Sequence, residues 1–352
     1  MDIRNFRTAA IMLTLITLIS ACNMPSVNAQ SEGAPTEVSQ DTSVAQPVEI
    51  AFQHEMIPTD LPAERSSHAG DYDSSKFASK KMAAGGDRFT FGRFERPFNA
   101  NTMDVYFSQL DIVDTFVFQD ESWIYGTVTI KSPDASNALA GKYALELDLD
   151  RDGKGDWLII ASNPASTEWS VNGVQAFEDA NNDVGDQSAM YSDEHASGDG
   201  FEALVFDQGN GNDPDTAWAR ISPTNPNTVE IAVKRSVLGD PEKYLINMWA
   251  GTSLLDPALF DLNDHFTHEQ AGAADPGYEY FYPIKEVAEI DNSCRMAVGF
   301  EPTGKEPGLC EVFIPHVPGA PPAGCQLNDA SCSSQGGGWY FDAPSCSCKY
   351  LG

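Results

Sequence analysis

The feature that most constrains the fold is a long succession of short apolar runs separated by Gly, Asn, Asp and Pro. They fall at 110–118 (LDIVDTFVF), 122–130 (SWIYGTVTI), 142–148 (KYALELD), 156–161 (DWLIIA) and 172–178. Four more follow at 201–207 (FEALVFD), 216–222 (TAWARIS), 228–234 (TVEIAVK) and 244–251 (YLINMWAG). In SWIYGTVTI, apolar and aromatic residues alternate with small or polar ones, the pattern of a half-buried antiparallel strand. Upstream, RFTFGRFERPF spaces Phe89, Phe91 and Phe94 as a further strand, which Pro97 ends or holds at a sheet edge. Helical signals are weak: SVLG from Ser236 and DPALFD from Asp256 are each one turn at most. The expectation is an all-β fold, an antiparallel β-sandwich over 88–290 in one domain.

The N-terminus reads as an export signal. Arg4 and Arg7 precede an apolar run from Ala9 to Ile19 that is too short to span a bilayer comfortably. The run ends in Ile19-Ser20-Ala21-Cys22, which resembles a bacterial lipobox. The resemblance implies cleavage after residue 21 and lipid on the Cys22 thiol, the chain's only membrane contact, with the domain facing outside the cell. Cleavage after Ala29 is the alternative and would release a secreted protein. Residues 22–87 are rich in Ser, Thr, Pro, Gln, Glu and Ala, with no lasting hydrophobic period, and are expected to be a disordered tether.

Cysteine usage agrees with an oxidising compartment. Setting Cys22 aside leaves Cys294, Cys310, Cys325, Cys332, Cys346 and Cys348, an even set. Cys294 and Cys310 are read as closing a Gly- and Pro-rich extension over 291–315. A Pro-rich linker (316–324) then leads to a small Cys-rich tail (325–352), which needs disulfide staples because it has almost no apolar core. Cys346 and Cys348 are too close to pair easily with each other, so each is expected to reach Cys325 or Cys332, in an order left open.

The formal net charge of −31 argues against nucleic acid and against binding to anionic lipid. It favours divalent cations. The strongest local signal is Asp148-Leu-Asp150-Arg-Asp152-Gly153-Lys-Gly-Asp156, where alternating Asp residues and a turn Gly can converge on one hard cation. Its first half matches an EF-hand loop, but Ile159 stands where the bidentate Glu would be, and the flanks are strands. The missing ligands are expected from water or from a second acidic turn holding Asp179, Asn181, Asp183 and Asp186. Structural calcium is the expected cofactor; a metal-free Asp-Gly turn is the plain alternative.

Other candidates are weaker. The segment FDLNDHFTHEQAG carries Asp264 and His265 but lacks any zincin spacing. Trp169 in STEWSVNG sits near a turn, where an exposed indole can stack on a sugar ring. There is no G-x-S-x-G, no Gly-rich phosphate loop and no Cys/His dyad in the main domain.

Taken in order, RFERPF, LDIVD, LDLDRDGKGDWLI, WSVNGVQAFEDANNDVGD, PDTAWARI, VEIAVKRSVLGD, MWAGTSLLDPALFDLNDHFTHEQAG and DNSCRMAVGFEPTGKEPGLC resemble secreted bacterial proteins. Those proteins carry a β-sandwich similar to the DOMON and family-nine carbohydrate-binding-module superfamily. The resemblance covers roughly 88–315. It implies a sandwich that binds sugars or haem, or that assists enzymes. Haem-binding members use a Met and His pair, for which Met248 and His265 would have to serve. The expectation is therefore a monomeric, non-enzymatic surface module with carbohydrate as its ligand. The alternatives are a carbohydrate-active hydrolase using carboxylates near 261–269 and a purely structural envelope protein.

Overall fold

Alternation in the sequence becomes strand in the structure with few exceptions. The computed structural model describes residues 53–83, 86–185, 198–272 and 283–304, then 306, 308–310, 325–327, 331, 339–342 and 346–350. The chain divides into two units, Met1–Ile50 and Ala51–Gly352. The expected signal segment, Cys22, the start of the tether, Asp186, the 316–324 linker and Cys332 lie outside the described residues.

The strands of the second unit begin with β1 (Ser67–Gly70), β2 (Glu95–Arg96), β3 (Ile112–Gln119), β4 (Trp123–Ile130), β5 (Lys142–Asp148) and β6 (Trp157–Ser162). Next come β7 (Val174–Glu178), β8 (Ala203–Asp207), β9 (Asn210–Gly211), β10 (Ala217–Ile221), β11 (Thr228–Lys234) and β12 (Tyr244–Gly251). The last are β13 (Ile290–Asn292), β14 (Met296–Val298), β15 (Trp339–Asp342) and β16 (Ser347–Tyr350). One sheet has the order β1-β3-β4-β11-β10. The other runs β2-β13-β12-β5-β6-β7-β8-β9, with β14 also on β12, and β15 pairs with β16 in a two-stranded sheet. Every strand pair is antiparallel. The expected all-β antiparallel sandwich is the observed fold.

Side-chain period sets which residues fill the space between the sheets. From β4 come Ile124, Val128 and Ile130, and from β11 Val229, Ile231 and Val233; β5 contributes Tyr143, Leu145 and Leu147, and β12 Ile246 and Met248. The opposite face of the larger sheet is buried too. Ala144, Leu158, Ile160 and Trp249 on that face pack against Phe89, Phe94, Leu255, Phe260, Leu262 and Val287 from the covering segments. A strand buried on both faces reads as a continuous apolar run, which is why YLINMWAG shows so little alternation.

Two expectations about the N-terminal part need correction. The first concerns the tether expected through residue 87: residues 54–83 pack on the sandwich. β1 joins the edge of the five-stranded sheet, pairing Ala69 with Thr115. Ahead of it, the chain crosses that sheet's outer face, where Trp123, Tyr125 and Trp218 cluster and Leu61 packs against them. Asp215 anchors the crossing: its carboxylate meets His54 Nδ1 at 2.7 Å and accepts the Glu55 and Met56 backbone N–H groups at 2.8 Å. A polar composition concealed this because the strap uses very few apolar anchors. The second correction is Phe89–Phe91, which forms a 3-10 turn rather than a strand, ended by Gly92 at φ 63°. Phe89 and Phe94 are buried, while Phe91 is exposed.

At the other end, Cys294 pairs with Cys310 and Cys325 with Cys346. Cys348 is disulfide-bonded as well.

Candidate functional site

The acidic turn at 148–156 connects β5 to β6. Arg151 at φ 69° and Gly153 at φ 95° let the chain reverse tightly. Asp148 organises the turn: its two oxygens accept the backbone N–H groups of Arg151 and of Gly153, the latter at 2.8 Å. Asp156 Oδ2 accepts from Leu149 N at 2.5 Å. Carboxylate oxygens of Asp148, Asp150 and Asp156 thereby lie within 4.8 Å of one another, grading from buried through half-buried Asp156 to exposed Asp150. Burial pushes the Asp148 carboxyl up to about 7 and raises Asp156 also. A hard cation would favour the ionised form of both.

Asp152 is not part of this group. Its Oδ1 accepts from Lys154 N at 2.9 Å, and its own N–H goes to Asp150 Oδ1 at 3.1 Å.

The second acidic turn lies alongside, with Asp179 N donating to Asp156 O at 3.0 Å. Its side chains are engaged locally. Asp179 accepts from Asp183 N and Val184 N at 3.2 and 3.0 Å, Asn181 Nδ2 donates to Asp199 Oδ1 at 3.1 Å, and Asp183 Oδ1 accepts from Asp199 N at 3.1 Å. Among the described residues, Asp179 and Asp183 do not join the three converging carboxylates.

A polar layer runs beneath the first turn, on the covered face of the larger sheet. Glu146 shares this face with Asp148. It accepts from Trp249 Nε1 at 2.7 Å and from Arg295 Nη2 at 2.9 Å. Arg295 Nη2 also lies 3.7 Å from Asp261 Oδ2. Burial and the Glu146 charge push the Asp261 carboxyl up to about 7 in spite of Arg295. Glycines allow the loops to close over this layer. A Cβ on Gly155 would stand 2.7 Å from Glu146 Cγ. One on Gly185, at φ 62°, would stand 3.3 Å from Asp264 Oδ2 and 3.7 Å from both Asp261 Cβ and Lys154 Cγ. Both acidic turns and the 261–264 segment therefore meet at one end of the sheet.

Asp264 is 1 % exposed beneath Gly185. His265 Nε2 lies 3.3 Å from the carbonyl oxygen of Phe260. Met248 is in the core between the sheets, its methyl 2.9 Å from the Cβ position of Gly126, whereas Phe260 belongs to the cluster on the other side of the sheet. That placement separates Met248 from His265. Trp169 is half-buried at the strap: its Nε1 donates to Thr59 O at 2.9 Å, and the Arg220 guanidinium stacks 4.4 Å from its ring centroid. One face of the indole is thus taken.

From the sequence Trp157 reads as a core or half-buried strand residue, not as part of a groove. The indole is half-buried beside the acidic turn and, with Asp150, Asp156, Glu178, Asp179 and Asn182, lines an open groove of about 520 Å³. Its signal was its position, directly after Asp156 at the start of a strand. The buried Glu146–Arg295 pair was signalled only by a lone Glu among the apolar residues of YALELD.

No family model, curated protein or solved structure matches this chain.

Proposed function

We propose that this is a non-enzymatic surface module, lipid-anchored at Cys22, that binds glycan in a calcium-dependent manner. The observation that carries the reading is the convergence of Asp148, Asp150 and Asp156 within 4.8 Å at the edge of the groove that Trp157 lines. Calcium takes oxygen ligands in flexible geometry, and the turn supplies three carboxylates. A sugar ring offers an apolar C–H face and several hydroxyls. Trp157 suits the first, and Glu178 and Asn182 suit the second. In this reading Asp150, the exposed carboxylate, carries the ion at the rim and couples metal to ligand. The likeness of residues 88–315 to DOMON and family-nine binding modules supports carbohydrate as the ligand class. Binding is favoured over hydrolysis because Asp264 is buried and His265 is turned toward backbone.

The test is a glycan-array screen of the full chain with calcium and with EDTA. A hit that disappears in EDTA is expected. Asp150→Asn should weaken it at least tenfold, and Trp157→Ala should do the same without altering bound calcium. No hit across the panel in either buffer would remove the glycan reading. A melting temperature indifferent to EDTA, in a chain that holds no metal, would remove the calcium. For the anchor, Cys22→Ser is expected to move the protein from the membrane fraction into the soluble fraction.

A further inference from the structure

A second acidic cluster lies elsewhere in the sandwich, where no sequence motif marks it. Glu95 on β2 and Asp291 on β13 are directly opposed across the strand pair. Like charges in that position repel, and both residues are buried, at 1 % and 0 % exposure. Asp71, just past the end of β1, closes the group: one carboxylate oxygen from each of the three lies within 4.8 Å of one from each of the others. No His or Cys belongs to this group.

Each carboxylate spends one oxygen on the fold. Asp71 Oδ1 accepts from Tyr72 N at 2.9 Å, Asp291 Oδ2 from Ile112 N at 2.7 Å, and Glu95 Oε2 from Ser74 Oγ at 3.5 Å. The other oxygen of each, Asp71 Oδ2, Glu95 Oε1 and Asp291 Oδ1, is buried and receives no donor from the rest of the protein, although Asp71 and Glu95 hydrogen-bond each other when one of them carries a proton. Buried polar atoms are nearly always satisfied, so three orphans on three neighbouring acids require a ligand or protons. Asp111 flanks the group, but its oxygens are occupied by Ser74 N and the Tyr106 hydroxyl.

We propose that Asp71, Glu95 and Asp291 form a buried structural site for a hard divalent cation, calcium in the first instance, that ties β1 to the edge of the larger sheet. Calcium–oxygen distances near 2.4 Å mean that oxygens sharing one ion lie no more than about 4.8 Å apart. The cluster meets that limit. The all-oxygen donor set excludes a preference for zinc. Gly86 lies between the cluster and the surface. The Cβ position of Gly86 is 2.8 Å from Glu95 Oε1, and Gly86, Tyr72 and Arg93 line a surface cleft of about 300 Å³. Protons are the competing occupant: burial and mutual repulsion hold Glu95 and Asp291 well above the usual carboxylate range, and burial raises Asp71.

The site is independent of the turn at 148–156, so its test uses full chain carrying Asp150→Asn and Asp156→Asn. After equilibration with calcium and dialysis, metal is counted by plasma mass spectrometry and melting is followed with and without EDTA. The expected result is about one ion per chain and a melting temperature several degrees lower in EDTA. Adding Glu95→Gln or Asp291→Asn should abolish both. A double variant that holds no metal and melts identically in EDTA overturns the proposal, whether or not the amide variants fold. Metal that persists in a folded Asp291→Asn chain overturns it too. Failure of the turn site alone would instead appear as equal metal content in wild type and the double variant.

Discussion

Glu146 ties the covered face of the larger sheet to the C-terminal extension. It is fully buried, and both of its oxygens are used, one by the Trp249 indole and one by Arg295. Arg295 is held by the chain around the Cys294–Cys310 disulfide: its N–H donates to Gly308 O, and its carbonyl accepts from Cys310 N, both at 2.8 Å. The disulfide thus positions the guanidinium that neutralises the carboxylate under the acidic turn. Removing one member of such a pair leaves the other charged and unpaired. Glu146→Leu is expected to cost about 3–5 kcal/mol in urea unfolding. Combining it with Arg295→Met should recover part of that loss, because neither member of the pair is left behind, although Asp261, 3.7 Å from Arg295, loses its cation. If the double variant is as unstable as the single one, the cost lies in packing or in the orphaned Trp249 N–H instead.

At the scale of elements, Gly126 shows how closely the two sheets approach. It lies mid-strand in β4, paired with Val117 and Ile231. A Cβ there would stand 2.2 Å from Leu145 Cδ2 and 2.9 Å from Met248 Cε, both on the opposite sheet. Gly126→Ala should therefore destabilise by about 1–3 kcal/mol through overpacking, although alanine suits a strand at least as well as glycine does. An unchanged denaturation midpoint would mean that Leu145 and Met248 repack freely. The glycine was legible as an interruption in SWIYGTVTI, and so were the nine long strands, because each presents five or more residues with an apolar face. β1, β13 and β14 were not, and of the strand expected over RFTFGRFERPF only Glu95–Arg96 (β2) forms. They have two to four residues, too few for a period to show, and Glu95 and Asp291 look like surface residues. The candidate site divides in the same way. Asp148, Asp150 and Asp156 are near in sequence and visible as a motif. The triad of Asp71, Glu95 and Asp291 is assembled from three distant segments and becomes visible only when the strands pair.

At the scale of the whole molecule, the chain gathers carboxyls into its interior while already carrying a net charge of −31. Burial lifts Asp148 and Asp261 to about 7 and Asp111 to about 6, and raises Asp71, Asp156, Glu95 and Asp291. The sign is the reverse of the usual acid denaturation. A carboxyl whose folded value lies above its unfolded value binds protons more tightly in the folded state. Without metal, these groups are therefore least costly to the fold below the unfolded value near 4. Their penalty grows as pH rises toward 7, reaching on the order of 4 kcal/mol for a group such as Asp148. Asp73, Asp104, Asp134 and Asp215 shift downward and oppose the trend, but Asp104 and Asp134 are exposed, where such hydrogen bonds contribute little. The metal-free chain is thus expected to melt several degrees higher at pH 5 than at pH 8. Calcium binds the ionised carboxylates, so its stabilisation should grow over the same interval and flatten or invert the slope. Melting curves at pH 5, 6, 7 and 8, each in EDTA and in millimolar calcium, measure both trends. If the EDTA curve climbs with pH as it does for an ordinary salt-bridged protein, the buried acids are paired in solution by partners other than protons or metal. If the EDTA curve falls but calcium leaves it unmoved, the acids hold protons, and the interior of the sandwich is a proton store without a cation.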